Sequence, residues 1–212
     1  LPAAPWTLKI IFGSLQEPTM SLPRLALTAL PFLALAFGAT PALAHAGHEH
    51  GLVVGFLHPL MGADHVAAMV AIGLWAASLG WQRGWMPPVG FLIGMAGGIA
   101  LGLAGGIGLG FGVVETAVAG SLIVLGAMLA MAQPFRPALA LSLVLVAGLV
   151  HGLAHGGEIA SAALPTALGM LAGSALLHGF GAALGVASAR YAGALRFGGA
   201  AIAGFGALLL LG

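Results

Sequence analysis

Residues 52–80 read LVVGFLHPLMGADHVAAMVAIGLWAASLG. As a helix this apolar stretch is long enough to cross a hydrocarbon core of about 30 Å, yet its first half carries His58, Pro59, Asp64 and His65. Pro59 removes a backbone donor and disfavours helix at His58. Gly55 and Gly62 flank it. The expected form is a first span broken at His58–Pro59, with 52–58 a short half-helix. A regular helix then starts near Gly62 or Ala63, with Asp64 in its first turn, where a carboxylate is favoured. Asp64 is either a helix-terminal carboxylate or part of a site, because broken helices at membrane depth occur where backbone lines a site or cavity.

The rest of the chain fits that setting. It is 60% hydrophobic and 5% charged, with a mean hydropathy of +1.12. A soluble domain is about a quarter charged, so this is a membrane protein. Lipid cannot satisfy open backbone groups and no strand-like alternation is present, so the fold class is all-α, a polytopic helix bundle. Glycine supplies 36 of 212 residues, which favours close helix approach. Gly94-x-x-x-Gly98 and Gly102-x-x-x-Gly106 are spaced for such contacts, or arise by chance in a Gly-rich chain. The net charge of +1 gives no case for a nucleic-acid partner. With no cysteine there is no disulfide, thiolate metal site or Cys nucleophile.

Four regions follow along the chain. Residues 1–19 are unlike what comes after and read as an upstream extension. Residues 20–44 read as a signal peptide: Arg24 in the n-region, an apolar run from Leu25 to Phe37, and Ala42-Leu43-Ala44 as the cleavage site. The alternative is an uncleaved first helix. Residues 45–51 are a His-rich segment with His45, His48 and His50, and 52–212 form the transmembrane domain. Its six spans fall near 52–80, 88–105, 113–132, 137–155, 162–187 and 193–212. Arg83, Arg136, Arg190 and Arg196 lie in or beside alternate connections. The positive-inside rule makes those connections cytoplasmic, and the mature N-terminus then faces outward, as the signal peptide independently requires. The expected location is the cytoplasmic membrane of a bacterium.

Ionisable groups in such a chain mark sites or pathways by default. In HGLAHGGE, His151 and His155 are one helical turn apart and Glu158 follows three residues later, so all three share a face. His58, Asp64 and His65 sit in the outer half of span one, at the same expected depth, and Glu115 lies near the outward end of span three. Imidazoles with carboxylates form a ligand set for a transition metal. The blander readings are hydrogen-bonded interhelical pairs for the histidines and an interfacial group for Glu115. His178 lies about 24 Å into span five at 1.5 Å per residue; it is either a satisfied interhelical donor or a deeper step on a path. A free amine and imidazole at His45 could chelate an ion with His48 and His50, or the segment is a flexible scavenging tail.

HPLMGADH, the VETAVAGSLIVLG stretch from Val114 to Gly126, HGLAHGGE and GMLAGSALLHGFG occur in that order behind a signal-like segment. The combination resembles the HupE/UreJ family over about His45 to Gly212. HPLMGADH also resembles the His-x4-Asp-His signature of the larger nickel/cobalt permease family, here with five residues between His58 and Asp64. The resemblance implies a nickel permease, with cobalt for some members, linked to hydrogenase or urease maturation proteins. It also implies metal-handling roles for His58, Asp64, His65, His151, His155 and Glu158. The ligand types suit nickel, copper, cobalt or zinc almost equally. A secondary metal transporter is therefore the leading reading. A metalloprotein that holds copper or zinc through His45, as enzyme or metal donor, is the alternative, and an accessory subunit whose histidines only pair helices is a third. The sequence leaves an oligomer open.

Overall fold

The computed structural model describes residues 51–105, 108, 110–131, 135–156, 159, 163–189 and 193–211. The expected extension, the signal peptide, His45, His48, His50, Glu158 and Arg190 lie outside these residues. Seven helices follow one another: α1 Leu52–Met61, α2 Ala63–Ser78, α3 Met86–Leu103, α4 Phe111–Met131, α5 Pro137–Gly156, α6 Ala163–Ser188 and α7 Ala194–Leu211. The bundle is all-α among the described residues. Helices α3 to α7 are each long and apolar enough to cross a membrane, and α1 with α2 makes a further bent pair, turned by 86° at its junction. Large apolar side chains such as Val146, Leu176 and Phe180 face outward from the bundle, as lipid contact requires.

The break in the first span is three residues later than expected. Pro59 lies inside α1, and the chain turns at Gly62, whose φ of −91° and ψ of 119° are extended. Pro59 removes one bond, that to the Gly55 carbonyl, and its ring is buried in the bundle. Any residue can adopt the dihedrals of Gly62. What favours glycine is room: a Cβ there would lie 2.8 Å from Asp64 Oδ1 and 2.9 Å from His65 Nδ1, so those side chains would have to shift. The turn is thus shaped around the two side chains that follow it.

Glycine seams fix how the helices run. Gly94, Gly98 and Gly102 of α3 meet Gly148, Gly152 and Gly156 of α5 backbone to backbone, advancing in the same direction. These two helices are therefore parallel. Helices α2 and α6 are parallel too, since Val70 meets Gly181 and Ala77 meets Gly185. Helices α4 and α7 are antiparallel, with Gly126 against Gly199 and Ala119 against Gly206. The α1 helix crosses the first half of α6, where Gly55 abuts Thr166 and Gly173 abuts Phe56. Gly51 N–H donates to the buried Thr166 Oγ1 over 3.0 Å and ties the start of α1 down. Between α2 and α3 the turn exposes Trp81, Arg83 and Trp85, an aromatic and cationic pairing typical of a membrane–water interface.

Candidate metal-handling site

The turn at Gly62 delivers His58 from the end of α1 and His65 from the first turn of α2 to one place. Helix α5 brings His155 and His151, one turn apart on its buried face. His58 Nε2 lies 3.2 Å from His155 Nδ1, and His65 Nε2 forms a very short contact with His155 Nε2. The His65 and His151 rings have centroids 5.3 Å apart. Four of the histidines expected to act together therefore do meet, between the first span and α5. Asp64 Oδ1 lies 2.9 Å from His65 Nδ1. That contact is electrostatic rather than a linear hydrogen bond, as the geometry of adjacent residues in one turn dictates.

These contacts assign the tautomers, taking the rings as neutral. The carboxylate of Asp64 favours the proton on His65 Nδ1, leaving the lone pair on Nε2. His155 must then donate from Nε2 and accept at Nδ1, and His58 donates from Nε2. His151 Nδ1 donates to the Ala147 carbonyl over 2.9 Å, so its lone pair also sits on Nε2, buried and without a hydrogen-bond partner among the described residues. A ring whose Nδ1–H is held by oxygen while Nε2 keeps its lone pair is the form in which histidine ligates metals. Asp64 thus orients His65. The N-cap residue of α2 is Gly62, and Asp64 sits in the first turn as expected, where its charge also suits the helix N-terminus.

Among the described residues no three His, Asp or Glu side chains are arranged to hold an ion as they stand. His155 bridges His58 and His65, nearly perpendicular to the first ring and tilted by 47° to the second. Asp64 and Glu115 line one cavity of about 440 Å³ with Thr116, between the starts of α2 and α4 and the end of α7. Glu115 is therefore beside the cluster's carboxylate rather than among its rings. His178 lies fifteen residues into α6, on the inner side of the cluster. Its Nδ1 donates over 2.9 Å to the carbonyl of Met69, one turn from His65 and so about 6 Å along α2.

Sequence reading missed Phe91, a buried α3 residue whose ring centroid lies 5.3 Å from those of both His151 and His178. It also missed the Ala147 and Met69 carbonyls that orient these rings. Phe91 is one apolar residue among many and carries no signal; the carbonyls have none to carry.

A bent first span, glycine-sealed helices and a buried histidine cluster backed by oxygens define a polytopic membrane protein with a polar site inside its bundle. The profile of the HupE / UreJ protein family matches residues 33–209, and the chain belongs to that family. It is 38% identical over 187 residues to Protein HupE of Rhizobium leguminosarum bv. viciae, covering 84% of this chain and 95% of that one. No solved structure matches it significantly. Family membership supports a metal-related membrane permease function, a transporter rather than an enzyme.

Proposed function

We propose that this protein is a secondary transporter for a divalent transition metal, nickel first, with its ligand site between the first span and α5. The observation that carries this reading is the buried pair His65 and His151. Each ring has Nδ1 beside an oxygen and Nε2 free of that oxygen, and the two rings touch across different helices. The ion is the cargo. His65, His151, His155 and His58 supply nitrogen ligands once His155 releases its neighbours, and Asp64 holds His65 in register. Glu115 and Asp64 give the adjoining cavity a negative character that draws cations. Glu158 and the histidines at 45, 48 and 50 extend the same ligand chemistry toward the outward side. Hydrogenase or urease maturation proteins are the proposed recipients.

Metal-competition uptake into proteoliposomes tests the reading. Nickel should accumulate, and the order in which cobalt, copper and zinc displace it reads the selectivity. Absence of accumulation of any of nickel, cobalt, copper or zinc overturns it.

The proposed orientation has six crossings with the cluster outward. The parallel α2/α6 and α3/α5 pairs and the antiparallel α4/α7 pair each agree with strict alternation. Arg83 and Arg136 then fall on one side, which the positive-inside rule makes cytoplasmic. The chain has no cysteine, so single introduced thiols report cleanly. Gly110→Cys should react with an impermeant reagent from outside and Gln82→Cys should not. The reverse pattern would turn the cluster to the cytoplasm.

A further inference from the structure

Two imidazoles share one signature at different depths. His151 on α5 is 0% exposed and His178 on α6 is 2% exposed. Each gives its Nδ1–H to a backbone carbonyl 2.9 Å away, that of Ala147 or Met69. In both, Nε2 is a buried lone pair with no hydrogen-bond partner among the described residues. Such an acceptor is destabilising to keep, and a ring fixed at Nδ1 with Nε2 bare is poised for a cation.

One side chain touches both. The Phe91 ring, 0% exposed, is inclined at 60° to the His151 ring and 81° to the His178 ring. One turn further along α3, Met95 Sδ accepts a hydrogen bond from Ser174 Oγ at 3.5 Å. Ser174 lies one turn before His178. The α3 pair Phe91/Met95 therefore faces the α6 pair Ser174/His178, and this register sets where the Phe91 ring lies. Ring contacts run in sequence from His58 through His155, His65 and His151 to Phe91 and then His178. Phe91 is the member of that series with no atom able to ligate a metal.

We infer that His178 is a second metal station and that Phe91 is the gate between it and His151. The inference rests on the transport reading above. An ion on His151 meets an aromatic ring that cannot coordinate it, and only displacement of the ring opens the way to His178. The outer station has Asp64 at hand, whereas the groups shown against His178 and Phe91 are neutral. The second station therefore holds a divalent ion less tightly and passes it on.

The test uses the full chain in proteoliposomes loaded with Ni²⁺, followed for passive efflux. Phe91→Ala should speed efflux by about tenfold or more. His178→Ala added to the same chain should return efflux close to the wild-type rate. Equilibrium Ni²⁺ binding of Phe91→Ala in detergent, within about threefold of wild type and dependent on His65, reports an intact outer cluster. Retained binding with unchanged efflux overturns the gate. Faster efflux that ignores His178→Ala overturns the second station. If Phe91→Ala loses binding, Phe91→Leu is read by the same criteria, and loss in both gives Phe91 a packing role and overturns the gate. Wild-type protein with no His65-dependent Ni²⁺ binding would instead sink the transport reading itself.

Discussion

His65→Ala and His155→Ala should each abolish high-affinity nickel binding and reduce uptake to background. His155 touches two other histidines, His58 through Nδ1 and His65 through Nε2. Its loss removes one ligand and the bridge that gathers the others. His65 joins the first span to α5 and is the ring that Asp64 orients. A transition metal generally needs about four ligands, so each loss should weaken binding by more than about 100-fold, beyond the 10–100-fold typical of losing an orienting partner. Asp64→Asn should fall within that smaller range, because it removes the charge beside His65 Nδ1 and keeps the ligand. The double variant His65→Ala/His155→Ala should be scarcely worse than either single one, since both losses damage one site. The measurement is nickel binding by equilibrium dialysis together with uptake, on protein that remains monodisperse. Near-normal binding in both single variants would refute the site, and clean additivity would split it into two separate sites.

The apolar spans and the positions of the ionisable groups were legible because hydrocarbon permits few alternatives: a long apolar run must be helix, and an imidazole inside it needs a reason. The meeting of His58 and His65 with His151 and His155 was legible as equal depth, although the bond partners were not. The break was misplaced at His58–Pro59 because proline advertises itself, while Gly62 turns the chain with dihedrals open to any residue and is crowded only by the Asp64 and His65 side chains. His178 was read as lying beyond the cluster, but how far beyond was not legible. Rise along α6 measures distance from that helix's own start, but the site's position depends on where α2 packs beside it, and Met69 marks that point. Half of the α3–α5 seam was also visible. Gly94, Gly98 and Gly102 are spaced for close helix contact, and the other half comes from Gly148, Gly152 and Gly156 on α5.

Those glycines are where the second large effect is expected. Gly152→Leu should separate α3 from α5 and abolish nickel binding without touching a ligand. A Cβ at residue 152 would run into the Met95 carbonyl and would lie 2.8 Å from Ile99 N and 2.9 Å from Gly98 Cα. All three are backbone atoms of a packed helix, so no side chain can swing aside to relieve the clash. Overpacking of this kind costs about 1–3 kcal/mol or more, and for a chain of this size each kcal/mol lowers the unfolding midpoint by about 2–4 °C. Even Gly152→Ala places the offending atom, so it should already show a lower midpoint. The functional loss follows from position: Gly152 lies beside His151 and three residues before His155, and the Phe91 carbonyl rests against Gly148 one turn earlier. Any widening at the seam therefore displaces two ligands and the ring that joins them to His178. Gly97 supplies the control, because it sits on the same helix as Gly98 and a Cβ there would meet nothing within 4 Å. Gly97→Ala should leave the midpoint and nickel binding unchanged. Equal thermal behaviour and equal binding in Gly152→Ala and Gly97→Ala would show that the close α3–α5 approach does not hold the site together.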